Sequence, residues 1–114
     1  MKIDVRFKNL QSSPALREQT VDSVQRMLGR FGRRIHSVTV RYEDINGPRK
    51  GVDKRCCVEV RGNSFGVIVG SASSKDIYVL PGLVLATVER RVQSHFARSR
   101  GFQRSSVTLS DQAA

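Results

Sequence analysis

The sequence predicts an α+β fold: a two-layer sandwich of β-α-β-β-β-α order, in which two helices cover one face of a four-stranded sheet. Four segments alternate apolar and polar residues with the period of a strand, and two longer segments repeat apolar residues with the period of a helix. The last three strands follow one another directly, which favours antiparallel pairing. One face of the sheet is then left to solvent or to a partner.

The length and composition predict a single domain. The chain has 114 residues, of which 39% are hydrophobic and none is tryptophan. This is enough for one modest, largely aliphatic core. We expect the domain to span residues 1–101 and residues 102–114 to form a flexible tail, because the tail has little to bury.

The first strand is predicted at residues 2–8, which alternate strictly between apolar and charged side chains. A helix follows, because Ser13 can cap its N-terminus and Pro14 fits the first helical position, where its missing N–H costs nothing. Gly32 is the predicted stop. The apolar stripe of this helix consists of Leu16, Val21, Val24, Leu28 and Phe31.

The next three strands are predicted at residues 37–44, 54–61 and 64–70, with a polar connector at 71–76. The residues predicted to face the core are Val38, Val40, Tyr42, Cys56, Val58 and Val60 in the first two of these strands, and Phe65, Val67 and Val69 in the third. Ile68 is therefore predicted on the open face of the sheet.

The last helix is predicted to continue to about Arg100. An interior proline removes a backbone hydrogen bond, so Pro81 indicates either that the helix begins near Val79 or that it is kinked. The apolar stripe of this helix consists of Ile77, Val84, Val88, Val92 and Phe96.

The charge of the chain is strongly positive. Its 20 Lys and Arg residues exceed its 10 Asp and Glu residues, which gives a formal net charge of +10, and most of the cations are arginines. A planar guanidinium binds phosphate oxygens bidentately, so the composition favours nucleic acid over an acidic protein or an anionic membrane as the partner.

The sequence does not favour an enzyme. Neither His36 nor His95 has an acidic or nucleophilic residue at a catalytic spacing. Gly47 and Gly51 enclose three residues, whereas a phosphate-binding Walker loop needs four followed by Lys-Ser/Thr. We therefore expect no catalytic residue, no cofactor and no small-molecule substrate.

The cysteine pair and the apolar segments indicate a cytoplasmic protein. Cys56 and Cys57 are adjacent, so in a strand they would point to opposite faces and form neither a disulfide nor a CxxC metal site. The first ten residues lack the apolar core of a signal peptide. The longest apolar run, at residues 77–88, is too short to cross a bilayer.

Three groups of basic residues are the candidates for contact with nucleic-acid phosphates. Residues 87–104 contain five arginines and one acidic residue, whereas a merely solvated helix face usually mixes charges; solubility alone remains the alternative interpretation. The candidates are Arg26, Arg30, Arg33 and Arg34 around the end of the first helix, Arg49, Lys50, Lys54 and Arg55 near the loop before the third strand, and Arg90, Arg91, Arg98 and Arg100 in the last helix.

Three short motifs carry a resemblance to a known family. They are "PALRE" at 14–18, "DIY" at 76–78 and "VERRV" at 88–92, and their order resembles the ribosome hibernation-promoting factor family, which includes ribosome-associated inhibitor A, over about residues 1–100. The resemblance implies a fold like that of double-stranded RNA-binding domains. It also assigns Arg26, Arg34 and Arg90 to basic positions of the family, while Ser23 and Thr87 stand where the family has basic residues.

The function that the resemblance implies is that of a stress-response translation inhibitor. Members bind the small ribosomal subunit through phosphates of 16S ribosomal RNA and block the channel used by mRNA and tRNA. Two alternatives stay open. One is a protein-interaction module that uses an open sheet face with Arg6, Arg41, Cys57 and Ile68, and the other is a general structured-RNA-binding domain.

Overall fold

A computed structural model describes residues 1–45 and 53–107, with side chains described through Arg98. Its elements confirm the predicted α+β class and the β-α-β-β-β-α order. They are β1 (Lys2–Lys8), α1 (Pro14–Leu28), a 3-10 segment (Gly29–Arg34), β2 (Ile35–Asp44), β3 (Lys54–Gly62), β4 (Gly66–Ser74), a 3-10 turn (Ile77–Val79) and α2 (Leu80–Val107).

The sheet has the strand order β1-β2-β3-β4. The β1 and β2 strands are parallel, because α1 carries the chain back to the starting end of the sheet, and the other two pairs are antiparallel as predicted. Val5, Val40, Val58 and Gly70 lie side by side across the four strands. Both helices pack on this face, so the opposite face of the sheet is open.

The start of each helix is set by local chemistry. The Ser13 hydroxyl accepts a hydrogen bond from the Leu16 amide at 3.2 Å, and Pro14 is the first residue of α1, as predicted. At the other helix, Asp76 caps the 3-10 turn by accepting from the Tyr78 amide at 3.0 Å, and Pro81 falls in the first turn of α2. The helix therefore begins next to Val79 and needs no kink.

The helix ends differ from the predictions. The α-helical part of α1 ends at Leu28, and the chain continues in a 3-10 segment that is broken at Gly32, whose φ of 55° is in the left-handed region. Phe31 is buried within that segment, so the predicted apolar stripe remains on one face. The last helix continues past Arg100 to Val107.

The fourth strand was predicted with the wrong face inward. It begins at Gly66 and ends at Ser74, so most of the predicted polar connector is strand. Val67 and Val69 are 47% and 45% exposed on the open face, while Ile68 packs against the core and Gly70 is buried. Phe65 precedes the strand and is half-buried.

A glycine explains this inversion. A Cβ atom on Gly70 would lie 2.8 Å from Cγ2 of Val88, so the missing side chain lets α2 pack directly on the sheet. The next inward residue of β4, Ala72, is also small, whereas Ile68 packs against the core on the other side of Gly70. The sequence prediction placed the valines of this strand inward because they are apolar, but they face outward.

We expect Gly70→Val to lower the free energy of unfolding by about 1–3 kcal/mol, because overpacking must displace Val88 and the helix. Gly82→Ala is the matched control, since a Cβ atom at this exposed helical position meets no heavy atom within 4 Å. The control should raise the free energy of unfolding by about 0.5–1 kcal/mol. Urea denaturation measures both, and a neutral Gly70→Val would contradict the close helix–sheet packing.

A buried hydrogen-bond chain joins α1 to the sheet. The Thr20 hydroxyl donates to the Leu16 carbonyl at 2.7 Å, so the Tyr42 hydroxyl donates to Thr20 Oγ1 at 2.5 Å. Tyr42 is fully buried, and this burial raises its pKa well above the usual value. The aromatic ring also stacks on Phe7 with 5.6 Å between centroids.

Thr20→Val should be more destabilising than Tyr42→Phe. The first change leaves the Tyr42 hydroxyl buried without its partner and should cost about 1–3 kcal/mol, whereas the second leaves the Thr20 donor bonded to Leu16 and should cost about 0.5–1.5 kcal/mol. Thermal or urea unfolding of the two variants and of the double variant gives the comparison. The opposite order would show that the donor assignment is wrong.

Candidate nucleic-acid interface

The arginines at the end of α1 are held by side chains of α2. Arg30 donates to Gln93 Oε1 at 3.1 Å and pairs with a Glu89 carboxylate oxygen at 3.5 Å. Its guanidinium also lies over the Phe31 ring, 4.8 Å from the centroid. The first and third predicted groups of basic residues are therefore adjacent in the structure.

Aromatic packing fixes the neighbouring arginine. The Arg34 guanidinium lies over the Phe96 ring at 4.4 Å from the centroid, and its Nε donates to the Phe31 carbonyl at 3.4 Å. Phe96 itself contacts Phe31 and Phe65, with centroid distances of 5.8 and 5.9 Å. A guanidinium seated on a packed ring keeps its charge and loses much of its rotational freedom, which suits anion binding.

The outer side of α2 carries the third group. Arg90, Arg91 and Arg98 surround a shallow cavity of about 380 Å³ together with Thr87 and Ser94. In the part of the chain with described side chains, Arg90 and Arg98 make no ion pair or hydrogen bond. Arg91 differs, because it donates to the Val69 carbonyl at the edge of the sheet.

Two further candidates complete this surface. Arg33 is exposed, and Arg26 pairs with Asp22 at 2.9 Å within α1. Ser23 is 6% exposed, so it contributes little to this surface. We call the surface the helix-face cluster. Its members are Arg26, Arg30, Arg33, Arg34, Arg90, Arg91 and Arg98.

The two described residues of the second predicted group, Lys54 and Arg55, have different surroundings. Lys54 lies between Asp53 and Asp44, with N–O distances of 2.6 and 3.8 Å, and the hydrogen bond to Asp53 raises its pKa. This lysine is largely neutralised. Arg55 is exposed on the open sheet face, away from the helices.

Three predicted residues have no described side chain. Arg49 and Lys50 belong to residues 46–52, which lie outside the described residues, and the side chain of Arg100 lies outside them as well. They stay predictions.

Two arginines that the structure places on the same face as Arg55 were predicted on this face, but only for the protein-interaction alternative and not among the candidate nucleic-acid-binding residues. Arg6 and Arg41 are direct neighbours on the open face of β1 and β2, and Cys57 follows in the same row. Their strand alternation predicted exposure, but only the parallel pairing of β1 with β2 brings the two arginines together. Of the residues predicted on this face, Ile68 alone is misplaced.

The remaining candidate chemistry is limited. Burial raises the pKa of the Cys56 thiol to about 12, while Cys57 is half-buried on the open face. The described residues contain no group of three His, Cys, Asp or Glu side chains that could hold a metal ion. No helix in the described part of the chain is long and apolar enough to cross a membrane.

Fold and surface together define a small α+β domain that presents ordered arginines on its helical side. Residues 3–100 match the family model described as Sigma 54 modulation protein / S30EA ribosomal protein, and the chain belongs to this family. The match confirms the resemblance that the sequence motifs predicted.

Solved structures show the same fold. A ribosomal subunit interface protein from Coxiella burnetii is similar, with a TM-score of 0.72 and 24% identity over 85% of this chain and 99% of that chain. The N-terminal domain of Thermus thermophilus Protein Y is similar with a TM-score of 0.68 and 17% identity, over 83% and 99% of the two chains. No match was found among curated proteins.

We predict that only one of the two thiols reacts rapidly in the native protein. At pH 8 a maleimide should modify Cys57, whereas Cys56 is buried and its pKa of about 12 keeps it protonated. Mass spectrometry of Cys57→Ser and Cys56→Ser assigns the reaction. Rapid modification of Cys57→Ser would contradict the placement of the two side chains.

Proposed function

We propose that this protein is a ribosome-associated translation inhibitor that binds the small ribosomal subunit through phosphates of 16S ribosomal RNA. The observation that carries the proposal is the helix-face cluster, in which Arg30 and Arg34 are oriented by Phe31, Gln93 and Phe96. The family and the printed name of the Coxiella burnetii protein support a ribosomal partner.

The mechanism is occupancy and needs no catalysis. The domain would sit in the channel used by mRNA and tRNA in the cytoplasm of stressed cells and exclude both ligands while it is bound. Guanidinium groups that are already ordered lose little conformational entropy on binding phosphate. Each neutralised phosphate releases counterions, so affinity should fall steeply as salt rises.

Arg90 and Arg98 are well placed to bind phosphate. Neither is paired with a carboxylate in the described structure, so RNA does not have to break an internal ion pair to bind them. Arg26 and Arg30 are different, because their ion pairs with Asp22 and Glu89 compete with phosphate. We therefore assign the larger share of binding to α2 and to Arg34.

The triple variant Arg34→Gln/Arg90→Gln/Arg98→Gln should lose most of its binding to isolated small subunits. If each arginine contacts one phosphate, the slope of log affinity against log salt should decrease by about two to three. Co-sedimentation across a salt series measures the slope. A protein that fails to sediment with small subunits even at low salt would exclude the proposal.

The matched control removes the same charge elsewhere. Lys2→Gln/Arg61→Gln/Lys75→Gln changes three exposed cations outside the helix-face cluster. Its slope should stay close to that of the unmodified protein. Equal losses in both triple variants would mean that net charge alone drives binding. If the unmodified protein bound an unrelated structured RNA as tightly as it binds small subunits, it would be a general RNA-binding domain.

A further inference from the structure

The open face of the sheet carries a second group of cations. Arg6 on β1 lies directly opposite Arg41 on β2, and Cys57 and Ser71 continue the same row on β3 and β4. The next row contains Lys8, Glu43, Arg55 and Ser73. Apart from Glu43, every side chain in these two rows is a cation, a hydroxyl or a thiol.

The carboxylates nearby are already paired. Asp4 binds Arg6 at 2.7 Å, and Glu43 lies 3.6 Å from the Lys8 ammonium. Among the residues that the structure describes, Arg41 and Arg55 have no ion pair and no side-chain hydrogen bond. They are diagonal neighbours on β2 and β3, a relation that separates Cβ atoms by about 7–8 Å.

Two cations on this face lack a carboxylate partner. Asp4 already neutralises Arg6, whereas Arg41 and Arg55 have no ion pair among the described residues. A concave cavity of about 530 Å³ contains both of them, and its lining residues are Arg6, Phe7, Lys8, Arg41, Tyr42, Glu43, Arg55 and Cys57. A concave, cationic site with unpaired guanidiniums is complementary to an oxyanion.

The surroundings favour nucleic acid over an acidic protein. Protein interfaces are usually anchored by buried aromatic or large apolar side chains. Phe7 and Tyr42 belong to the inward face, and the exposed Val67 and Val69 lie in the rows of Arg61 and Glu59, beyond the cluster. The described part of the open face has no aromatic ring for base stacking, so recognition would be of the backbone.

We propose that Arg6, Arg41 and Arg55 form a second phosphate-binding site, which takes the backbone of an RNA strand on the open sheet face. It lies on the opposite side of the sheet from the helix-face cluster. The domain can then contact two RNA segments at once, one on each side. This inference goes beyond the proposed function and does not depend on which RNA the helices bind.

The first test is Arg41→Gln/Arg55→Gln, measured by fluorescence anisotropy with a labelled RNA duplex across a salt series. The experiment uses the helix-face triple variant as background, so that most of the binding by the other side is removed. Loss of two phosphate contacts should lower the slope of log affinity against log salt by about 1.4–1.8. Lys2→Gln/Arg61→Gln is the matched control on the same face, with the same change in charge.

An unchanged slope in Arg41→Gln/Arg55→Gln, or an equal decrease in the control, would overturn the second site. The proposed function has a separate readout, because it requires that the helix-face variant lose binding to small subunits. Either proposal can therefore fail while the other stands.

The second test uses Cys57 as a local reporter. The RNA duplex should slow maleimide modification of Cys57 several-fold in the helix-face background, and Arg41→Gln/Arg55→Gln should abolish that protection. Polyglutamate of matched charge should protect less. Protection by polyglutamate but not by RNA would assign the face to an acidic protein and overturn the proposal.

Discussion

The close approach of α2 to the sheet at Gly70 is the constraint on which the rest of the structure depends. Because β4 presents no side chain at this position, Val88 packs against the strand backbone and the valines of the same helical stripe are buried. The buried stripe fixes the rotation of α2, and that rotation places Arg90 and Arg98 outward. It also brings Phe96 beneath Arg34 and Gln93 beside Arg30. One glycine in a strand thus determines where the cations of two helices meet.

Arginines also protect the two edges of the sheet. Arg17 donates from α1 to the Val5 carbonyl of β1 at 2.9 Å, and Arg91 donates from α2 to the Val69 carbonyl of β4. Exposed strand edges invite pairing with other chains, and a charged side chain bonded to the edge opposes it. Part of the positive charge of this chain therefore stabilises the fold and is distinct from the proposed binding surface. Counting cations overstates the number available for phosphate, as Lys54 between two carboxylates shows.

Local patterns were sufficient for much of the fold. Alternation identified the inward residues of β2 and β3, and Ser13 and Pro14 identified the start of α1. Pro81 left a helix start near Val79 and a kink as alternatives, and the structure shows the helix start. Patterns failed at β4, where the face of the strand is decided by the space beneath a distant helix. Patterns also could not predict the hydrogen bond between Arg30 and Gln93, which are 63 residues apart in the sequence. Contacts of this kind depend on how elements pack, and no window of neighbouring residues contains that information.

The distribution of cations over both faces bears on how such a domain would bind RNA. Arg90 and Arg98 lie on the helical side and Arg41 and Arg55 lie on the open face, and none of the four has an ion pair among the described residues. If RNA contacted only the helices, Arg41 and Arg55 would stay without an anion, whereas phosphate on the open face would pair with them. An RNA cleft can supply phosphates to both sides of the domain, whereas a flat RNA surface can supply them to only one side.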